Sequence, residues 1–168
     1  RDRGEMQEDF VAAGSFMKSH EECSGSVGVV GFCYGGGICN YGSSPVLVDC
    51  TFTDNAALYE GGGMSNYEST TVMTNCIFLE NAASGSAGGM VNTGSNTTTT
   101  LEYCTFENNS AGERGGGMVN SGNNTILMEC MFTNNTATDK GGGIFNGGYS
   151  NSVLMDCTFT NNTANKRR

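Results

Sequence analysis

The sequence has no tryptophan, one histidine and only eight lysines and arginines against seventeen acids, giving a net charge of -9. Each scarcity excludes something. A phosphate backbone or an anionic membrane surface is held by clustered basic side chains, so neither nucleic acid nor membrane is an expected partner. No run of 18 apolar residues occurs, so no helical membrane span is expected. Hydrophobic residues reach 37 % and aromatics 9 %, while 26 of the 168 residues are glycine. A conventional apolar core would be thin for one domain of this length, and something else must organise the fold. Charged residues are also sparse, at 15 %. With so much Asn, Thr, Ser and Gly, the composition suits a secreted or cell-surface protein. The sequence begins at Arg1 rather than Met, so a signal peptide is expected to have been removed or left out.

What is present is a repeat. Cys-x-Phe pairs fall at Cys50/Phe52, Cys76/Phe78, Cys104/Phe106, Cys130/Phe132 and Cys157/Phe159, at intervals of 26, 28, 26 and 27 residues. Each Phe is followed three residues on by Asn (Asn55, Asn81, Asn109, Asn135, Asn162) and five residues on by Ala. Nine residues after each of the first four Phe comes a small-residue triplet: GGGM from Gly61, AGGM from Ala87, GGGM from Gly115 and GGGI from Gly141. Another GGGI opens at Gly35, and two residues after each Ile or Met stands Asn40, Asn66, Asn92, Asn120 or Asn146. The Phe-to-triplet distance is constant, and all length variation falls between that Asn and the next Cys. Constant register with one variable corner is what stacked coils require.

Parity along the chain locates the interior. Cys and Phe, two apart, share one face of a strand. The apolar residue three before each Cys (Leu47, Met73, Leu101, Leu127, Leu154) has the wrong parity for that face in a flat strand. The chain must therefore bend between them, at Asp49, Asn75, Tyr103, Glu129 or Asp156. The sequence predicts an all-β, right-handed parallel β-helix of about five coils over residues 34–168, with three short strands and three bends per coil. Phe, Cys, Leu and Ile/Met columns should point inward. Inward Asn at the bends should donate their amides to backbone carbonyls of the next turn.

The paired GGG[IM]-x-N and F-x-x-N-x-A patterns, from Gly35 to about Ala164, resemble the GGA[ILV] and FxxN motifs of the polymorphic outer membrane protein repeats of chlamydiae. The third small residue differs, being Gly here. The resemblance implies a surface-exposed β-helix used for adhesion or as a stalk.

The ends differ from the middle. Residues 1–33 read as a separate segment, either a processed tail or a short helical cap over the first coil, for which Met6, Phe10, Ala13 and Met17 recur at helical spacing. Cys23, Cys33 and Cys39 flank this cap and are the disulfide candidates. At the other end Leu154, Cys157, Phe159 and Asn162 face along the axis with no covering element in the sequence, and are the expected assembly face. Self-association head to tail, or continuation of a longer chain, follows as the expected partnership.

Chemistry is sparse. No catalytic, cofactor-binding or metal-ligating residue is assigned. His20 lies in a polar stretch outside the repeats and reads as surface. Parallel β-helices also host polysaccharide lyases, which is the alternative function; such a site needs clustered acids for calcium and a basic residue in a groove. Asp49, Glu129 and Asp156 share a column broken by Asn75 and Tyr103. Arg114 and Lys140, the repeats' only basic residues, stack with Arg167 at another corner beside Glu113 and Asp139. That arrangement reads as a solvated charge ladder. The five repeat cysteines read as reduced packing thiols, since rung spacing exceeds the usual disulfide Cβ separation. Asn96, Asn108, Asn123, Asn134 and Asn161 open N-x-Ser/Thr glycosylation motifs. Three of these share one column, where glycans would crowd, so Asn96 and Asn123 are the better acceptors. Ice binding by threonine ranks is a third possibility, but Ile77/Leu79, Glu107 and Met131 interrupt the ranks. The expected function is a non-enzymatic structural or adhesive module of the cell surface, with a surface glycan or protein as ligand.

Overall fold

The computed structural model describes residues 36–95, 98–122 and 124–165, and all regular structure in them is strand. The strands form four parallel sheets of five strands each, one strand per coil. Sheet A comprises Ile38–Tyr41, Met64–Tyr67, Met90–Thr93, Met118–Ser121 and Ile144–Gly147. Sheet B comprises Val46–Val48, Val72–Thr74, Thr98–Glu102, Asn124–Met128 and Asn151–Met155. Sheet C comprises Thr51–Thr53, Ile77–Leu79, Thr105–Glu107, Met131–Thr133 and Thr158–Thr160. Sheet D, the fourth, has strands of only two residues, from Ala56–Ala57 to Thr163–Ala164. The chain is the solenoid the repeat predicts, with four strands per coil rather than three. The extra strand holds the Ala of F-x-x-N-x-A, a dipeptide too short to show a period of its own.

Both bends flanking sheet C are made by non-glycine residues in the left-handed region. Asp49, Asn75, Tyr103, Glu129 and Asp156 have φ of 50–54°, and Asp54, Glu80, Asn108, Asn134 and Asn161 have φ of 54–56°. Asn and Asp tolerate this conformation best, and seven of these ten residues are Asn or Asp. The first bend reverses side-chain parity, which is why Leu101 and Cys104 both point inward at an odd spacing. The 310 and α menus are not used because each coil closes through its neighbours, not through local hydrogen bonds.

Register is like upon like: Phe52, Phe78, Phe106, Phe132 and Phe159 are direct partners in successive sheet C strands. Their ring centroids lie 4.6–4.9 Å apart with interplanar angles of 1–11°. Near-parallel stacking is imposed by the strand spacing, since free aromatic pairs favour offset or edge-on geometry. The Phe rings, the Cys column, the Leu/Met column and the Ile/Met column form one continuous core.

The glycine triplet has two steric causes. Its first residue is left-handed, with φ of 60–67° at Gly61, Ala87, Gly115 and Gly141. At the third, a Cβ on Gly63, Gly89 or Gly117 would meet the Phe ring of the next coil at 2.7–2.9 Å and a glycine carbonyl oxygen at 2.4–2.8 Å. That close approach is why glycine stands at this position here.

Candidate functional site

The interior polar groups are devoted to stacking. In sheet A, Asn40, Asn66, Asn92, Asn120 and Asn146 form an amide ladder, each Nδ2 donating to the next Oδ1 at 2.7–2.9 Å. The second ladder is denser. Asn109 donates from its backbone N–H and its Nδ2 to Asn135 Oδ1, at 3.0 and 2.9 Å, and from Nδ2 again to Phe78 O at 2.9 Å. Asn81, Asn135 and Asn162 also reach back to a Phe carbonyl, at 2.7–2.9 Å. The carbonyl therefore belongs to the preceding coil, not the next one as the sequence suggested. The reason is that each Oδ1 already serves the preceding coil's two donors, so the Asn plane lies across the gap between those coils. One polar column is unresolved: Thr71, Thr99 and Thr125 Oγ1 are buried with no hydrogen-bond partner. In the last coil the equivalent Ser152 Oγ donates to Asn146 Oδ1 at 2.9 Å.

The thiols pack as a column and cap carbonyls. Cys76, Cys104, Cys130 and Cys157 Sγ each approach the carbonyl of the preceding coil's Leu/Met residue at 3.5–3.8 Å. All five, Cys50 through Cys157, are free thiols. Burial pushes the Cys50 and Cys157 thiols up from the ordinary value, and hydrogen bonds with Cys130 and Cys76, together with burial, push Cys104 up. Hydrogen bonding with Cys104 lowers the Cys76 thiol, to about 7, and lowers the Cys130 thiol, so raised and lowered thiols alternate along the column.

The candidate charges do not converge. The column Asp49, Asn75, Tyr103, Glu129, Asp156 lies at the bend between sheets B and C, where Asn75 Nδ2 donates to Asp49 Oδ1 at 2.6 Å. A hydrogen bond to Glu129, with the nearby Glu129 and Glu102 carboxylates, raises the Tyr103 hydroxyl. Arg114 and Lys140 bridge in parallel after sheet D, bordering a shallow open groove lined by Gly112, Glu113, Arg114, Thr138 and Asp139. Arg114 Nε is 3.6 Å from Asp139 Oδ2, and its guanidinium lies over the Phe145 ring, 5.3 Å from the centroid. Burial, then the Glu113 charge, raises the Glu60 carboxyl. Among the described residues no group of three or more His, Cys, Asp or Glu is placed to hold a metal ion. Arg167, Asn96, Asn123, Cys23, Cys33, His20 and the cap of residues 1–33 lie outside the described residues. Cys39 is exposed on the first sheet A strand. Asn108, Asn134 and Asn161 are exposed at successive left-handed bends.

Two surface features escaped the sequence reading. Outward-facing Val91 and Val119 in sheet A are buried, forming with Ala87 and Phe145 a small second cluster. The outward columns of sheet B run Val46, Val72, Thr100, Ile126, Val153 and Val48, Thr74, Glu102, Met128, Met155, with Thr98, Asn124 and Asn151 forming a third column on the three longer strands. Seven of these thirteen are apolar and one is charged. Apolar residues flank Leu47, Leu127 and Leu154 on both sides, whereas Leu101 stands between Thr100 and Glu102.

At the C-terminal side of the stack, Leu154 and Phe159 are 42 % and 45 % exposed, and Cys157 and Asn162 are half-buried. A family model described as a right-handed β-helix region matches residues 18–130. The chain belongs to the right-handed β-helix family. A second model, the Chlamydia polymorphic membrane protein repeat, matches residues 129–147 of this β-helix. That segment runs from the bend at Glu129 through Phe132, Asn135 and the Gly141 triplet to Asn146, one full set of both motifs. No curated protein and no solved structure matches the chain.

Proposed function

We propose that this β-helix is a non-enzymatic structural or adhesive module of the cell surface or extracellular space, a rigid rod that presents its walls to surface glycans or proteins. The observation that carries this reading is the continuity of the Phe stack and both Asn ladders through every coil. Side-chain chemistry is invested in length and rigidity. The match to a repeat of Chlamydia polymorphic membrane proteins supports surface association. Leu154, Cys157, Phe159 and Asn162 repeat the groups that bury one another in the middle coils. A further coil, from a continuation of the chain or from a second copy, fits on them and extends the rod towards a filament. Glycans on Asn108, Asn134 or Asn161 would decorate one edge of the rod.

Two experiments test the proposal. Cleavage of acidic polysaccharides is assayed with and without calcium; turnover abolished by Arg114→Ala or Lys140→Ala would replace the reading with a lyase. Sedimentation and electron microscopy at high concentration test stacking: fibres with a repeat near one subunit length support it, and stable monomers refute it.

A further inference from the structure

The five repeat thiols form a regular array of soft donor atoms inside the coils. Cys76, Cys104 and Cys130 are fully buried, Cys50 is buried and Cys157 is half-buried. Each of Cys76, Cys104, Cys130 and Cys157 makes the same two contacts, to the carbonyl two residues before it at 3.3–3.4 Å and to the preceding coil's Leu/Met carbonyl at 3.5–3.8 Å. The side chains therefore point alike. The coil-to-coil step measured on the Phe rings two residues on, 4.6–4.9 Å, is also about the sulfur-to-sulfur step. That step is too long for a disulfide, whose Cβ atoms lie ~3.8 Å apart. It is close to about 4.6 Å, twice the ~2.3 Å bond between a metal ion and a thiolate sulfur. An ion midway between two neighbouring sulfurs would bond both in a straight line.

Donor number and geometry select the ion. Zinc takes four ligands and calcium six or more oxygens, and among the described residues no group of three or more His, Cys, Asp or Glu is placed to supply them. Two sulfurs in line suit a soft, univalent, closed-shell ion, of which Cu(I) is the biological case, because thiolate and thioether donors favour it. The surroundings are soft as well, since Met64, Met73, Met90 and Met118 are buried in the same core. Charge permits the burial. One thiolate and one thiol around a univalent ion sum to zero, and the single displaced proton leaves to solvent, so no unpaired charge enters the core. Sulfur's bonds lie near right angles to one another, so a thiolate does not hold one ion above it and a second below. Ions fit only in alternate gaps, and five thiols in a row accommodate two. The half-buried Cys157 leaves an approach at its coil.

We propose that the cysteine column binds soft univalent ions of the Cu(I) class, each held in line between the sulfurs of two adjacent coils, with two ions filling the column. Such binding goes beyond the structural role above, and each stands or falls separately.

The test is anaerobic titration of the full, reduced chain with Cu(I), supplied as its acetonitrile complex against a chromophoric Cu(I) chelator, with Zn(II) as the control ion. Cys23, Cys33 and Cys39 are first replaced by serine, so that the column's thiols alone remain. Two Cu(I) per chain are expected, with an X-ray absorption shell of two sulfurs at about 2.3 Å, and the melting temperature should rise with loading. Adjacency, not the number of thiols, sets the outcome in the variants. Cys104→Ser leaves Cys50 beside Cys76 and Cys130 beside Cys157, and should still take two ions. Cys76→Ser leaves Cys104, Cys130 and Cys157 in a row, and should take one. Cys76→Ser combined with Cys130→Ser leaves three thiols with no neighbours, and should take none. Circular dichroism checks the fold of each, and alanine replaces serine where the hydroxyl disturbs the core. Uptake that simply follows the number of thiols would overturn the proposal. So would a shell of three or four sulfurs, Zn(II) uptake equal to that of Cu(I), or no uptake.

Discussion

The third coil and the last carry the same motif and meet different fates. Phe106 is completely buried, stacked between Phe78 and Phe132, whereas Phe159 is 45 % exposed with a ring on one side only. Leu101 is likewise fully buried and its equivalent Leu154 is not. Asn109 has neighbours on both sides, and Asn162 only accepts from Asn135 and reaches back to Phe132 O. Local sequence is nearly constant between the two coils. The difference teaches that a coil's stability resides in its two interfaces, as nearest-neighbour terms in a one-dimensional stack.

The largest test of this comparison removes a ring. Phe106→Ala should cost ~3 to 5 kcal/mol, because it opens a cavity between two packed neighbours. Phe159→Ala should cost about a third as much, since water already reaches the ring. Denaturant melts of both variants measure the ratio; equal losses would show that the last coil is as well packed as the third.

Asn109→Ala removes the acceptor for the Asn81 backbone N–H and Nδ2 and the donor to Phe78 O, in a buried setting. A loss of about 2 to 4 kcal/mol is expected. Asn162→Ala should lose about 1 kcal/mol or less, water replacing the missing amide. Hydrogen exchange sharpens the result: protection of the Asn81 amide, which donates to Asn109, should fall far more in the first variant than protection of the Asn135 amide, which donates to Asn162, falls in the second.

The orphan hydroxyls invert the sign. Thr99→Val replaces a buried, unpartnered Oγ1 by a methyl group of the same shape, so about 1 kcal/mol of stabilisation is expected. At the equivalent place in the last coil, Ser152→Ala deletes a hydroxyl that bonds Asn146, and a small loss is expected. Thermal melting of both variants reads the opposite shifts.

The smallest expected effect is electrostatic. The Glu60 carboxyl is raised above the ordinary value of 4.5 by burial and by Glu113. The folded state therefore binds the proton more tightly than the unfolded chain, and Glu60 costs stability as pH rises from the ordinary value through the raised one. Glu60→Gln should flatten that part of the stability profile and raise the melting temperature slightly at neutral pH.

Much of this was determined by sequence alone. Constant spacing between Phe and the triplet, with variation confined to one corner, is possible only when strands pair in register with their own copies, so coil number, core columns and Asn columns were legible. The odd offset from Leu101 to Cys104 located the bend at Tyr103, because side-chain parity admits no alternative. The tertiary structure decided the rest. The two-residue sheet D strands carry no period, and only pairing with neighbouring coils makes them strands. Which carbonyl an Asn serves depends on the tilt of its amide across the gap between coils, a quantity absent from spacing. Burial of outward Val91 and Val119 required Ala87 and Phe145 to close over them. The mixed apolar and polar outward face of sheet B took shape only when residues 26 to 28 apart were laid side by side, because stacked copies and not a single one make a surface.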